Sequence, residues 1–255
     1  MKIGLALSGG GARGIAHIGV LQALEELGIK PDVLSGTSSG SIVAAFYCYG
    51  YKPKEILAIF RTARFFKLVW PALSVSGLLN MKKTGKLFLK YFPENDFEAL
   101  RIPLYVTATS LRTGKAVVFH HGALIEVLLA SSAIPVLFHP VRIEETDYVD
   151  GGIVDNLPVD PLIGTCDYVI GSHSNAVHDN YKTGNFRSVM ERSLLLAING
   201  NIMPQINKCH VFMEPPEMKN FRVFDFSKAD EIFDIGYAYT MQRKNELHLA
   251  INKRP

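Results

Sequence analysis

Cysteine is scarce in this chain: Cys48, Cys166 and Cys209 are the only three among 255 residues, far apart and odd in number. A secreted disulfide framework uses more of them, in pairs. Each sits in an apolar context (FYCYG, GTCDYV, KCHVF) that suits a buried small hydrophobe, and the expected compartment is the cytoplasm. Long apolar runs are lacking too. The longest, Ile42 to Tyr49, falls far short of the ~20 residues that span a bilayer. The opening MKIGLALSGGG has neither the long apolar region nor the cleavage site of a signal peptide. Charge of one sign is also missing: 27 Lys and Arg against 24 Asp and Glu leave +3, too little for a nucleic-acid footprint. No repeat, low-complexity tract or Gly/Ser-rich linker divides the sequence, so residues 1–255 are expected to form a single domain. No His, Cys or carboxylate cluster has metal-ligand spacing, and no metal or cofactor is expected.

What is present is apolar material in alternating patterns. At 48% hydrophobic residues the chain has enough for a sizeable core. Ile3–Leu7 is a short apolar run that stops at Ser8-Gly9-Gly10-Gly11, the pattern of a buried strand. Ile15, Ile18, Leu21, Leu24 and Leu27 then recur at helical spacing, with Gly28 and Pro31 as stop signals. Val33-Leu34 leads into Gly36-Thr37-Ser38-Ser39-Gly40, and Ile42–Tyr49 reads as a buried helix. Strand, helix, strand, helix implies a parallel sheet with right-handed crossovers. Further strands are expected at Leu104–Thr109, Ala116–Phe119, Val141–Ile143, Asp147–Val149, Tyr168–Gly171 and Cys209–Met213. Helices are expected at Leu124–Ala130 and Phe186–Ile202, with a surface helix from about Ala229 to Ile251. Phe65–Leu79 has no clean period and holds the only Trp, Trp70; it reads either as a cap over an apolar site or as an irregular segment packed on the core.

Two glycine-rich turns stand out. Gly9 to Gly14 formally satisfies G-x-G-x-x-G between a strand and a helix, the setting of a dinucleotide fingerprint. That reading requires an acidic residue at the end of the second strand, and Gly36-Thr37-Ser38 stands there instead. No Gly-Lys-Ser or Gly-Lys-Thr follows the glycines, so a P-loop fails as well. What remains is a run of backbone N–H groups free to converge on an anion, with Arg13 beside them in a first helical turn, where a cation opposes the helix dipole. The second turn matches G-x-S-x-G through Gly36, Ser38 and Gly40. A nucleophile elbow needs this sharp strand-to-helix turn, and flanking glycines remove side chains that would clash around a strained serine. Ser39 and Ser41 are not centred in it and read as polar residues of the first helical turn.

A serine nucleophile needs a base. None of the eight histidines (His17, His120, His121, His139, His173, His178, His210, His248) sits in a setting that marks a triad member. Asp150 stands at a strand end before Gly151-Gly152; on its own that pattern is a tight turn.

In combination and in this order, the pieces resemble the patatin-like phospholipase family, serine acyl hydrolases with a Ser–Asp dyad. The family's G-G-G-x-[KR]-G is matched by Gly9, Gly10, Gly11, Arg13 and Gly14, and its G-x-S-x-G by Gly36, Ser38 and Gly40. Its D-G-G followed by N-x-P is matched by Asp150, Gly151, Gly152, Asn156 and Pro158. Ala130-Ser131-Ser132-Ala133-Ile134-Pro135, with Phe138 and Pro140, is similar to a further family block. The resemblance covers about residues 1–175 and leaves the remainder without an assignable motif.

The resemblance implies an α/β three-layer sandwich with a mainly parallel central sheet, related to the malonyl-transacylase and lysophospholipase folds. It implies that Ser38 attacks a lipid or ester carbonyl while Asp150 takes its proton, and that Gly9, Gly10 and Gly11, helped by Arg13, stabilise the oxyanion. That mechanism requires an apolar setting that raises the Asp150 pKa. Within the resemblance, Phe65–Leu79 becomes a site-bordering element. Trp70, with Arg61, Arg64 and Lys67, suits a lipid interface, giving a cytoplasmic protein peripheral at the membrane. Two alternatives stand beside the hydrolase. One is an acyl transferase of the malonyl-transacylase type, which carries a His after its nucleophile where this chain has Ser39. The other is a non-catalytic patatin-like regulator.

Overall fold

The computed structural model describes residues 1–62, 82–178 and 184–252; the Phe65–Leu79 expectation therefore lies outside the described residues. The first half of the chain runs β1 (Ile3–Leu7), a 3-10 turn (Gly11–Ile15), α1 (Ala16–Glu26), β2 (Val33–Thr37), α2 (Ser39–Tyr49), α3 (Pro53–Arg61), α4 (Lys82–Phe88), β3 (Leu104–Ser110) and β4 (Ala116–Phe119). It continues through α5 (Leu124–Ser131), β5 (Val141–Ile143), β6 (Thr146–Asp150), β7 (Tyr168–Ser172), α6 (Phe186–Ile206), β8 (Val211–Met213), α7 (Ala229–Gln242) and α8 (Lys244–Asn252). Among the described residues, eight strands form one sheet in the order β5-β6-β3-β2-β1-β7-β8, with β4 on β3. β3, β2, β1, β7 and β8 pair in parallel, whereas β4, β5 and β6 join antiparallel.

The period of two in the strands divides the core. Leu5, Leu7, Leu34 and Ile170 face one apolar cluster, and Ala6, Val33 and Val169 face another with Leu157, Val159, Leu162 and Ile202. β1, β2 and β7 are buried along their whole length, as central strands of a sheet covered on both faces must be. This is the expected α/β sandwich. On one face α7 lies against α1 at close range. A Cβ at Gly19 would strike the Phe233 carbonyl, and one at Gly236 the Ala16 carbonyl.

Several expectations need correction. The C-terminal segment is two helices separated at Arg243, and α7 buries Ala229, Ile232, Gly236 and Thr240, so it is part of the core. Its small residues gave it a weak apolar stripe, which is why it read as surface. Of the cysteines, only Cys48 is fully buried; Cys166 and Cys209 are half-buried, and all three are free. α3 and α4 were not expected, although Pro53 at a helix start with Glu55 behind it is a start signal. Among the described residues, no helix is long and apolar enough to cross a membrane.

Candidate active site

β1 and β2 are parallel neighbours with Leu7 opposite Gly36, so the two glycine-rich turns that follow them lie side by side at the carboxyl edge of the sheet. Ser38 links β2 to α2 with φ 51° and ψ −125°. A side chain in that left-handed region costs of order 1–3 kcal/mol and persists only where neighbours enforce it. Here the enforcement is explicit. A Cβ at Gly40 would collide with the carbonyl oxygens of Leu7 and Ser8, and one at Gly36 with the backbone of Ser41. The Ser38 N–H donates to Ser131 Oγ at 2.8 Å, and that hydroxyl donates to the Thr107 carbonyl at 2.7 Å. Ser41 Oγ donates back to the Ser38 carbonyl at 2.6 Å.

Strand register brings in the partner. Thr37 pairs with Thr107 and Asp150 with Ala108, so β2 and β6 end at consecutive residues of β3. Ser38 and Asp150, 112 positions apart, meet there: Ser38 Oγ donates to Asp150 Oδ2 at 2.7 Å. Gly152 N–H donates to Oδ1 at 2.8 Å. The Asp150 backbone is pinned by its N–H to the Ala133 carbonyl at 2.9 Å and by Thr109 Oγ1, which donates to the Asp150 carbonyl at 2.9 Å. Burial pushes the Asp150 carboxyl up to about 6, against the hydrogen bonds from Ser38 and Gly152, which favour the anion. A carboxylate held there is a far better proton acceptor near neutrality than a solvated one.

The triple-glycine turn forms the opposite wall. Gly9 N–H donates to the Asn156 carbonyl at 3.2 Å, and Asn175 Nδ2 donates to the Gly9 carbonyl at 2.6 Å. Gly11 takes φ 58°, and a Cβ there would strike the Val223 carbonyl, which accepts the Ala12 N–H at 2.7 Å. Outside helix and strand ladders, neither the Gly10 nor the Gly11 N–H has a hydrogen bond among the described residues. Gly9, Gly10, Gly11, Ser38 and Asp150 line one narrow cleft of about 20 Å³ with Ile134, Pro135, Leu195, Ile198 and Val223.

Other expected residues lie elsewhere. Arg13 does not line this cleft. Its buried guanidinium donates through Nε to the Phe221 carbonyl at 2.8 Å and through Nη1 to the Ala176 carbonyl at 3.0 Å. Desolvation lowers its pKa to about 10. The sequence placed a cation beside the glycines; it could not show that two distant carbonyls would claim it. None of the eight histidines lines the cleft. His17 is buried under the turn, hydrogen-bonded to Ser172 Oγ and the Ser8 carbonyl at 2.9 Å each, and desolvation lowers its pKa to about 4. His173 bonds Glu214 at 2.6 Å. Among the described residues, Ser39 Oγ and Ser132 Oγ are buried with no hydrogen-bond partner. Ser131 and Asn156 stood in quoted blocks without a job, and Asn175 stood in none; a lone Asn beyond a strand gives no sequence signal. Among the described residues, no group of His, Cys, Asp and Glu is disposed to hold a metal ion.

The family model described as patatin-like phospholipase matches residues 5–163, which include both turns and Asp150. The chain belongs to this family. Among patatin-like relatives, Lysophospholipase NTE1 of Kluyveromyces lactis is 27% identical over 294 residues, spanning 96% of this chain and 20% of the relative. An uncharacterized NTE family protein of Mycobacterium bovis is 36% identical over 165 residues, spanning 64% of this chain and 46% of the relative. This patatin-like chain thus spans about a fifth of the length of its fungal relatives. The crystal structure of VipD from Legionella pneumophila matches with a TM-score of 0.53 at 16% identity, over 96% of this chain and 67% of that one, a likeness of fold.

Proposed function

We propose that this protein is a lipid ester hydrolase of the lysophospholipase type in which Ser38 is the nucleophile and Asp150 the general base. The observation that carries the reading is the 2.7 Å hydrogen bond from Ser38 Oγ to a buried carboxylate, in a cleft that no histidine lines. The patatin-like match and the lysophospholipase names of the fungal relatives support lipid esters as substrates.

The chemistry balances with these groups alone. Ser38 Oγ attacks the ester carbonyl carbon as its proton passes to Asp150 Oδ2. The tetrahedral oxyanion accepts hydrogen bonds from the Gly10 and Gly11 N–H groups; one such donor is worth about 10²–10³ in rate. Collapse expels the alcohol, which takes the proton from Asp150 and leaves an acyl-serine. Water, deprotonated by Asp150, then releases the carboxylic acid and restores Ser38. An acyl transferase of the malonyl-transacylase type uses a separate histidine base, and the absence of histidine from the cleft lining favours hydrolysis.

Ser38→Ala and Asp150→Asn are each expected to lower hydrolysis of p-nitrophenyl butyrate at least about 10³-fold while leaving thermal unfolding cooperative. An Asp150→Asn enzyme within tenfold of the parent would remove the dyad. In the parent, kcat/KM should fall about tenfold per pH unit below about 6 and level off above it, because the carboxylate must be ionised to accept the proton.

A further inference from the structure

β1 and β7 are parallel neighbours with Leu7 opposite Ser172, and their pairing does not stop at the strand ends. The Ser8 N–H donates to the Ser172 carbonyl at 3.0 Å, and the Ser174 N–H donates to Ser8 Oγ at 3.1 Å. The extension of β7 therefore runs beside the triple-glycine turn and delivers Asn175 to it. Asn175 is fully buried, and its own carbonyl accepts Asn199 Nδ2 from α6 at 3.0 Å. It packs flush against the turn: a Cβ at Gly10 would strike Ser174 Oγ and Asn175 Oδ1.

The orientation of the Asn175 amide is forced. Its terminal group lies 2.6 Å from the Gly9 carbonyl oxygen, which only accepts, so the NH₂ faces that oxygen. The same Nδ2 faces His173 Nε2 at 3.5 Å, and His173 is fixed through Nδ1 to Glu214. Asn156 Nδ2 lies 3.5 Å from the Gly9 carbonyl, at the long limit of a hydrogen bond. In a planar trans peptide the C=O and the N–H point to opposite sides. A Gly9 carbonyl held by Asn175 thus turns the Gly10 N–H away from Asn175. The following peptide obeys the same rule with a local partner, since the Gly10 carbonyl accepts the Arg13 N–H at 3.1 Å and so fixes the Gly11 N–H. Glycine backbones turn at little cost, so each donor in this run is aimed only as well as the carbonyl across its peptide is held.

We propose that Asn175 is a positioning residue for ester hydrolysis: by holding the Gly9 carbonyl it aims the Gly10 N–H at the oxyanion that forms when Ser38 attacks. The assignment rests on the hydrolase reading above and deepens it. Asn175 acts through the enzyme's own backbone, and the benefit is realised only as charge develops on the ester oxygen. Its loss therefore falls on kcat and spares substrate binding. One donor of the 9–11 turn is set locally, and the other by a residue outside the 5–163 span that the family model matches.

The test is Asn175→Asp, which keeps the shape and replaces the donor with an acceptor. With p-nitrophenyl butyrate, kcat should fall about 30-fold while KM stays within about threefold. A trifluoromethyl ketone of the same chain length accepts Ser38 Oγ at its carbonyl carbon, with the proton passing to Asp150, and its oxygen becomes the oxyanion. Its Ki should rise in step with the fall in kcat/KM, whereas that of the corresponding alcohol, which cannot be attacked, should move less than about threefold. Equal losses for both ligands, or a kcat within about threefold of the parent, overturn the assignment. Asn175→Ala, which brings no opposing charge, should show the same split if Asn175→Asp does not fold. A crystal structure of the parent with Ser38 phosphonylated by a fluorophosphonate needs no variant. Its phosphoryl oxygen should accept from the Gly10 N–H with Asn175 still on the Gly9 carbonyl; an oxygen bonded to Asn175 Nδ2 instead refutes the aiming role. Ser38→Ala at the parent's rate would remove the dyad and Asn175's role with it. An inactive Ser38→Ala beside an unimpaired Asn175→Asp removes only the latter.

Discussion

The two glycine-rich turns sit at matching places, each after one of two neighbouring parallel strands and each opening a helical segment, yet they are secured differently. The Ser38 turn is held by the Leu7 and Ser8 carbonyls, by Ser41 and, 93 positions along the chain, by Ser131. Every one of those residues lies inside the span that the family model matches. The triple-glycine turn is held from far along the chain, by Asn156, by Asn175 and by the Val223 carbonyl, with Arg13 reaching Ala176 and Phe221 behind it. Most of those partners lie beyond the matched span. The difference teaches that a recognisable motif and the structure that positions it need not share one stretch of sequence.

The comparison breaks most readily at the second turn. Gly40→Ala places a methyl against two backbone carbonyls that belong to β1 and its extension and cannot step aside. It should cost at least about 3 kcal/mol and strip activity with it, read as a drop in the denaturation midpoint. Arg13→Met attacks the first turn from behind. It leaves the Phe221 and Ala176 carbonyls without their donors and should cost about 2 kcal/mol. Because Val223 still caps Ala12, the variant should keep the fold and lose turnover in proportion to the loosened glycines. Equal activity loss per unit of stability in both variants would erase the contrast between the turns.

A third substitution sharpens it. Asp150 has a folded pKa raised by burial to about 6, so its ionised form is disfavoured in the native state. Its contribution to stability is fully present below the unfolded carboxylate value and is lost as pH rises through about 6. Asp150→Asn is therefore expected to melt higher than the parent at pH 8, by about 2 kcal/mol, with the gap closing toward pH 4. An amide fits the site, since it can accept from the Gly152 N–H and donate to Ser38 Oγ. A parent that is more stable at pH 8 would show that the carboxylate is not held there against its preference.

Much of the fold was legible because its signals are local. β1 and β4 end where their apolar runs end, and α2 begins at Ser39, directly after the serine that the glycines flank. Ser38 and Asp150 were legible for another reason: special backbone needs leave glycines beside them. The supports of the first turn were not, because a carbonyl is a property of every residue and Phe221 or Val223 announces nothing by its type. α7 was misjudged for a related reason. Its burial depends on Gly19 and Gly236 letting two helix backbones close up, and small residues leave little hydrophobic signal. Arg13 was found and misassigned, since a cation beside glycines looks the same in sequence whether it meets a ligand or its own chain.

The pairing of Asp150 opposite Ala108, one step beyond Thr107 and Thr37, has a bearing on synthesis. While the chain is still leaving the ribosome, the elbow and its strand emerge long before the carboxylate that completes them. Under the proposed mechanism a half-made protein therefore carries Ser38 without its base, and the pair is complete only when the antiparallel edge has docked.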